Sequence, residues 1–219
     1  MAVAIRVGFG GAIPDYATLV RRVSEWLDRD DLAPQVPVYI GLLEARLNRI
    51  LRVPQMETVV MLSATGQRVP LPSDFLQMRH LEVGGFPIRN LSHTVPATAA
   101  RDFSGRTGAV RQYMLTGDAI TLFPPPNDTT SLTLRYYRKL PPLSDAVPIN
   151  WLLEGHPDIY LYGTLMQAAA EVDDPAKVEQ WKLAHDEALG ELQAQGASQR
   201  FGGAPIAPRT AFQVSSAPC

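Results

Sequence analysis

Between Asp15 and Leu27, apolar side chains recur every three or four positions, at Tyr16, Leu19, Val20, Val23, Trp26 and Leu27. Arg21, Arg22, Ser24 and Glu25 fill the positions between them. That period predicts an amphipathic helix, with Asp15 placed to cap its first turn. The acidic run DRDD at 28–31, followed by Pro34 and Pro37, ends it. A second helix is expected from near Val38 until Pro54 stops the run, with the stripe Tyr39, Ile40, Leu43, Leu47, Ile50 and Leu51. Glu44, Arg46, Asn48 and Arg49 are assigned to its outer face. Two helices joined by a short Pro-punctuated turn imply an antiparallel hairpin.

From Met56 the period falls to two. METVVMLSA and QRVPLP read as strands on either side of a turn at 64–66. A turn or short helix at Pro72–Phe75 leads into a strand at Met78–Val83, and Gly84-Gly85 turns the chain back through Phe86–Asn90. Residues 92–103 have no clear period and are given a short helix at Ala97–Arg101. RQYMLTGDAITLF is the clearest hairpin, although Gly117-Asp118 reverses the Asp-Gly order that tight turns favour. LTLRYYRKL then alternates Leu132, Leu134 and Tyr136 with Thr133, Arg135 and Tyr137.

Helical spacing resumes after Pro148. Asn150 is placed to cap a turn at Trp151–Glu154, and Pro157 fits the first turn of a restarted helix. That long helix carries Ile159, Tyr160, Tyr162, Leu165, Met166, Ala169 and Val172, with Gly163 and Ala168–Ala170 small enough for a close crossing. Asp173-Asp174-Pro175 starts the last helix, whose stripe is Val178, Trp181, Ala184, His185, Ala188, Leu189 and Leu192. The fold class is therefore α+β. A discontinuous bundle of four main helices, drawn from both ends of the chain (15–55 and 145–195), carries a β-rich insertion at 56–144. An arm at 1–14 precedes the bundle, and an extended tail at 196–219, rich in Gly, Ala, Pro and Ser, follows it.

Composition removes most chemistry. The 219 residues are 46% hydrophobic and 19% charged, a globular balance, and a net charge of −2 gives no overall attraction to nucleic acid. The single cysteine, Cys219, excludes a disulfide within the chain and a thiolate metal cluster. The N-terminus does not read as a signal peptide and no apolar run reaches membrane-spanning length, so a soluble protein made in a reducing cytoplasm is expected. GFGGA at Gly8–Ala12 lacks the lysine ending of a phosphate loop. His80, His93, His156 and His185 show no metal-ligand spacing, and the acidic clusters lack the alternation of a calcium loop. No nucleophile motif occurs. No catalytic, cofactor-binding or metal-binding residue is assigned, and the chain is not expected to be an enzyme. Trp151, Tyr160, Tyr162 and Trp181 form an aromatic set assigned to helix packing, with a subunit interface as its second use. Arg135 to Lys139 make a basic, aromatic strand end, read as a protein contact or solvated edge before a base-stacking platform.

The segments YYRKLPPLSD and NWLLEGHPDIYLYGTL, with the earlier DYATLVRRVSEWLDRDDL, PVYIGLLEARLNRILRVPQME and VPLPSDFLQMRHLEV, resemble the head-to-tail adaptors (connectors) of short-tailed phages and related siphophages. The resemblance covers most of 15–195 and is strongest over Tyr136–Leu165. It implies a virion protein of the neck: a ring, usually dodecameric, below the portal. Such a ring receives the tail nozzle or tube on its other face and lets double-stranded DNA pass with only non-specific contact. No membrane partner is implied. The tail would dock on the portal or a neighbouring subunit, with Arg200, Phe201, Ile206, Arg209 and Phe212 as anchors. Two rivals stand beside this: a neck or tail-completion protein of another symmetry, and a ligand-binding or enzymatic β domain flanked by helices.

Overall fold

A computed structural model describes residues 13–27, 30–84 and 89–201. Helix α1 spans Tyr16–Leu27 and opens where the Asp15 carboxylate accepts from the Thr18 N–H at 2.8 Å. Helix α2 spans Val36–Ile50 and begins two residues before the expected Val38. Pro37 lies inside its first turn, where the N–H that proline lacks has no helical acceptor to lose, so this proline opens the helix instead of preceding it.

After the insertion come α4 (Trp151–Gly155), α5 (Pro157–Glu171) and α6 (Pro175–Phe201). The α1, α2 and α6 helices all pack against α5. For that reason α5 is buried on more than one face, with Leu161, Gly163 and Thr164 inside along with the expected Ile159, Tyr160, Leu165, Met166 and Ala169. Gly163 sits at the crossing. A Cβ there would lie 2.6 and 2.7 Å from the two Leu43 methyls and 2.9 Å from the His185 ring. The last helix runs past Gly196, the residue at which the sequence pattern begins a tail. Gly196 is buried in α6, where a Cβ would come within 3.0 Å of Pro54 and 3.2 Å of Val53.

Two four-stranded sheets lie between the helical halves. The first has the order β1 (Glu57–Ala64), β8 (Thr130–Arg138), β3 (Phe75–Val83), β4 (Arg89–Asn90), all antiparallel. The second has the order β2 (Arg68–Pro70), β7 (Ala119–Phe123), β6 (Gln112–Thr116), β5 (Ser92–His93). The strands either side of the 64–66 turn thus part company, one to each sheet. Helix α3 (Pro96–Phe103) joins β5 to β6, which run parallel. The β6–β7 hairpin turns on two residues, with Gly117 at φ +60°. A type II′ turn asks for glycine at its first central position, so the Gly-Asp order suits the turn formed.

The side chains form two cores. Val69, Leu81, Ile120, Leu122, Leu132, Leu134 and Tyr136 fill the space between the sheets. Leu19, Val23, Leu43, Leu47, Tyr160, Leu165, Leu189 and Leu192 fill the bundle, and Tyr137, Leu140 and Leu143 join it from the end of β8. The alternation of β8 therefore ties the two together, with Tyr136 buried in one core and Tyr137 in the other. Among the described residues no helix is long and apolar enough to cross a membrane.

Candidate functional site

The corner after β8 is where strand, bundle and loop are locked together. Pro141 and Pro142 bring no N–H groups, but the residues beside them do, and α2 supplies both acceptors. Asn48 Oδ1 accepts from the Leu140 N–H and Glu44 Oε1 accepts from the Leu143 N–H, each at 2.8 Å. Glu44 and Asn48 are four residues apart and so share one helix face. It is an inner face, not the solvent-facing one expected from their polarity, and Glu44 is only 6% exposed. Glu44 Oε1 also accepts from the Tyr160 hydroxyl at 2.9 Å, and that hydroxyl oxygen accepts from Asn150 Nδ2 at 2.7 Å. Asn150 donates as well to the Pro141 carbonyl at 2.8 Å, while its Oδ1 caps α4 by accepting from the Leu153 N–H at 2.9 Å. Burial raises the pKa of Glu44, opposed by the bonds from Leu143 and Tyr160, and burial also raises that of Tyr160, with the Glu44 charge adding to it.

A cleft of about 380 Å³ opens beside this network, lined by Glu44, Asn48, Ser73, Asp74, Arg138, Lys139 and the Leu140–Pro142 corner. Glu44, Asn48, Asp74 and Lys139 among its lining groups are committed to holding the corner, while the buried Arg138 Nε has no hydrogen-bond partner among the described residues. Asp74 accepts from the Tyr136 hydroxyl at 2.8 Å, and Lys139 Nζ donates to the Ser73 carbonyl at 3.0 Å. Burial, together with the bond to Asp74, pushes the Tyr136 pKa up to about 12. The basic, aromatic run Arg135–Lys139 is therefore not an edge. Its strand is flanked on both sides, and both tyrosines are core residues, leaving no stacked platform for bases.

The expected aromatic set divides. Tyr160 is fully buried in the network and Trp151 packs half-buried on the bundle core. Tyr162 and Trp181 stack at 5.9 Å and 12°, and Trp26 completes a trio, 5.5 Å from Trp181 and 6.5 Å from Tyr162. Trp26 had been placed only on the α1 stripe, yet it is 42% exposed. Trp26 lies in the last turn of α1 whereas Tyr162 and Trp181 lie in the second turns of α5 and α6, so no sequence signal joins the three. Other apolar side chains face outward from α2 (Val38, Leu42), β1 (Val59, Met61) and α6 (Leu183). Of the tail anchors, Arg200 and Phe201 form the end of α6; Ile206, Arg209 and Phe212 lie outside the described residues, as do Gly8–Ala12 and Phe86.

The histidines occupy separate environments. His80 lies 3.5 Å from Glu82, His93 meets the Tyr113 ring edge-on, His156 precedes α5, and buried His185 is 3.0 Å from the Asp186 carboxylate. Among the described residues no three of His, Cys, Asp or Glu converge to hold a metal ion.

The family model described as SU10 adaptor protein matches residues 14–209, and the chain belongs to that family of phage head-to-tail adaptors. It is a structural component of the virion, not an enzyme, and an adaptor implies a portal and a tail as partners. Comparison with curated proteins returned no match.

Proposed function

We propose that this chain is the subunit of a closed ring, twelve copies in the family's usual assembly, seated in the neck between the portal and the tail nozzle or tube. Family membership over residues 14–209 carries the reading. Three physical features support it. A network of buried side chains braces the bundle, and Tyr136 and Tyr137, adjacent in β8, tie it to the second core, as a load-transmitting spacer requires. Outward apolar side chains on α2 and at the Trp26–Tyr162–Trp181 trio supply area for the two unlike faces that a ring contact buries. The net charge of −2 suits a channel that passes DNA without gripping it.

In this assembly Tyr160 and Trp151 serve helix packing, whereas Tyr162 and Trp181, with Trp26, meet a neighbouring subunit. Arg200, Phe201, Ile206, Arg209 and Phe212 anchor the tail on the portal or a neighbour. The test is a chain ending at Phe201, which keeps α6 whole and removes 202–219. It should fold with an unchanged melting temperature and fail to attach to purified portal. Normal attachment overturns the tail's role, and a ring of different copy number points to a neck or tail-completion protein of another symmetry.

A further inference from the structure

Arg138, at the end of β8, lines the cleft beside the Pro-rich corner with its charge unmatched. Its Nε is buried without a hydrogen-bond partner, and its guanidinium forms no ion pair among the described residues. A guanidinium drawn partly out of water carries a desolvation cost that a nearby anion would offset. Lys139, exposed beside it, gives one of its three ammonium protons to the Ser73 carbonyl at 3.0 Å. The two carboxylates in the cleft are engaged elsewhere. Glu44 Oε1 holds the Leu143 N–H and the Tyr160 hydroxyl at 2.8 and 2.9 Å, and Asp74 Oδ1 holds the Tyr136 hydroxyl at 2.8 Å.

The corner side of the wall adds no backbone donor. Pro141 and Pro142 have no N–H, and the N–H groups of Lys139, Leu140 and Leu143 donate to the Asp74 carbonyl, Asn48 and Glu44 at 2.6, 2.8 and 2.8 Å. The donors left for a ligand are the Arg138 guanidinium and the remaining Lys139 protons, with the Asn48 amide and the Ser73 hydroxyl beside them. Such a set suits a ligand that accepts hydrogen bonds and carries negative charge. The nearby Glu44 and Asp74 carboxylates disfavour a doubly charged phosphate and leave a singly charged carboxylate as the better match. Leu140, Pro141 and Pro142 make the opposing wall apolar. The volume of about 380 Å³ lies near the low end of small-ligand pockets, room for one or two side chains but not for a length of peptide.

We propose that this cleft receives the carboxylate of an acidic side chain on a partner protein. The planar carboxylate meets the Arg138 guanidinium fork end-on, with Lys139 as the second cation, and an apolar neighbour of the acidic residue rests on Pro141 and Pro142. Charge complementarity sets the occupant, and the bonds that lock the corner hold the wall in place before the partner arrives. The cleft serves in this way in a ring of any copy number.

Heteronuclear NMR of the full chain tests it, read at the Arg138 Nε–Hε signal and at the Lys139 and Leu140 amides. The probes are N-acetyl-leucyl-glutamyl-amide, its glutaminyl counterpart and inorganic phosphate. The glutamyl peptide should shift these signals saturably in the millimolar range, with α5 amides unmoved. The glutaminyl peptide should bind about tenfold more weakly, as the loss of a charge-assisted hydrogen bond implies. Arg138→Gln should abolish glutamyl binding at the two amides, and Lys139→Gln, at an exposed position, should weaken it about tenfold. A glutamyl shift that does not saturate, or binding unchanged in either variant, overturns the proposal. A phosphate shift as strong as the glutamyl one also overturns it, assigning the cleft to a phosphate ligand.

Discussion

Replacing Glu44 probes the lock at the Pro-rich corner. In Glu44→Ala the Leu143 N–H loses its acceptor next to two prolines, and the Tyr160 hydroxyl loses the acceptor for its proton while still receiving the Asn150 N–H. A buried donor left unpaired costs about 1–3 kcal/mol, so two cost about 2–6 kcal/mol. In a chain of this size each kcal/mol moves the melting temperature by about 2–4 °C, giving a drop of about 4–24 °C. Glu44→Gln keeps a carbonyl oxygen for both donors and should lose no more than about 1 kcal/mol. Thermal and urea unfolding followed by circular dichroism measure both. A Glu44→Ala variant within about 1 kcal/mol of the parent, or a Glu44→Gln variant as damaged as Glu44→Ala, would show that Glu44 does not lock the corner. Titration adds a second check. Because burial raises the folded pKa of Glu44 above its ordinary value of 4.5, the folded state holds that proton more tightly than the unfolded chain. Its contribution to stability is full below the ordinary range and is lost as pH rises through the raised value. Glu44→Gln removes this dependence, so its stability relative to the parent should improve as pH rises from 4 to 7.

Other substitutions test the crossing, the cap and the interface. Gly163→Ala places a methyl 2.6–2.9 Å from Leu43 and His185, and overpacking of about 1–3 kcal/mol should outweigh a helix-propensity gain of about 1 kcal/mol. Combining it with Leu43→Ala should cost less than the sum of the two, and strict additivity in a double-mutant cycle argues against the contact. Asn150→Ala removes the α4 cap and both side-chain donations, for a loss of about 2 kcal/mol or more in urea unfolding. Asn150→Asp, which keeps the cap, should fall between it and the parent. Trp26→Ser should leave monomer unfolding within a few degrees yet weaken subunit association in sedimentation; unimpaired association removes the trio from the interface.

What could be read from the chain was local. Asp15 and Asn150 were legible as caps because a cap is decided by a side chain and an N–H three residues away. Gly163 was legible as a crossing because nothing else explains a glycine inside an apolar helical run. Glu44 and Asn48 were placed outward because helical period sorts residues by polarity, while their partners, the Leu143 and Leu140 N–H groups, lie 99 and 92 residues away. The same distance hid the separation of β1 and β2 into different sheets, since alternation gives the faces of a strand but not its neighbours. Gly196 looked like a helix end, and the close approach of Val53 and Pro54 is what lets α6 continue through it. The candidate site followed this division: the tail anchors were expected from the family resemblance and the aromatic set from its place on the helices, but Trp26 joined that set only through its ring contacts with Trp181 and Tyr162.

The central claim is that this adaptor acts as a ring on the portal, and mass photometry of the purified chain with and without its portal tests it most directly. A portal-bound species heavier by the mass of twelve 24.0 kDa subunits is expected, and it should be lost when 202–219 are removed. A chain that stays single-copy and leaves the portal mass unchanged contradicts it.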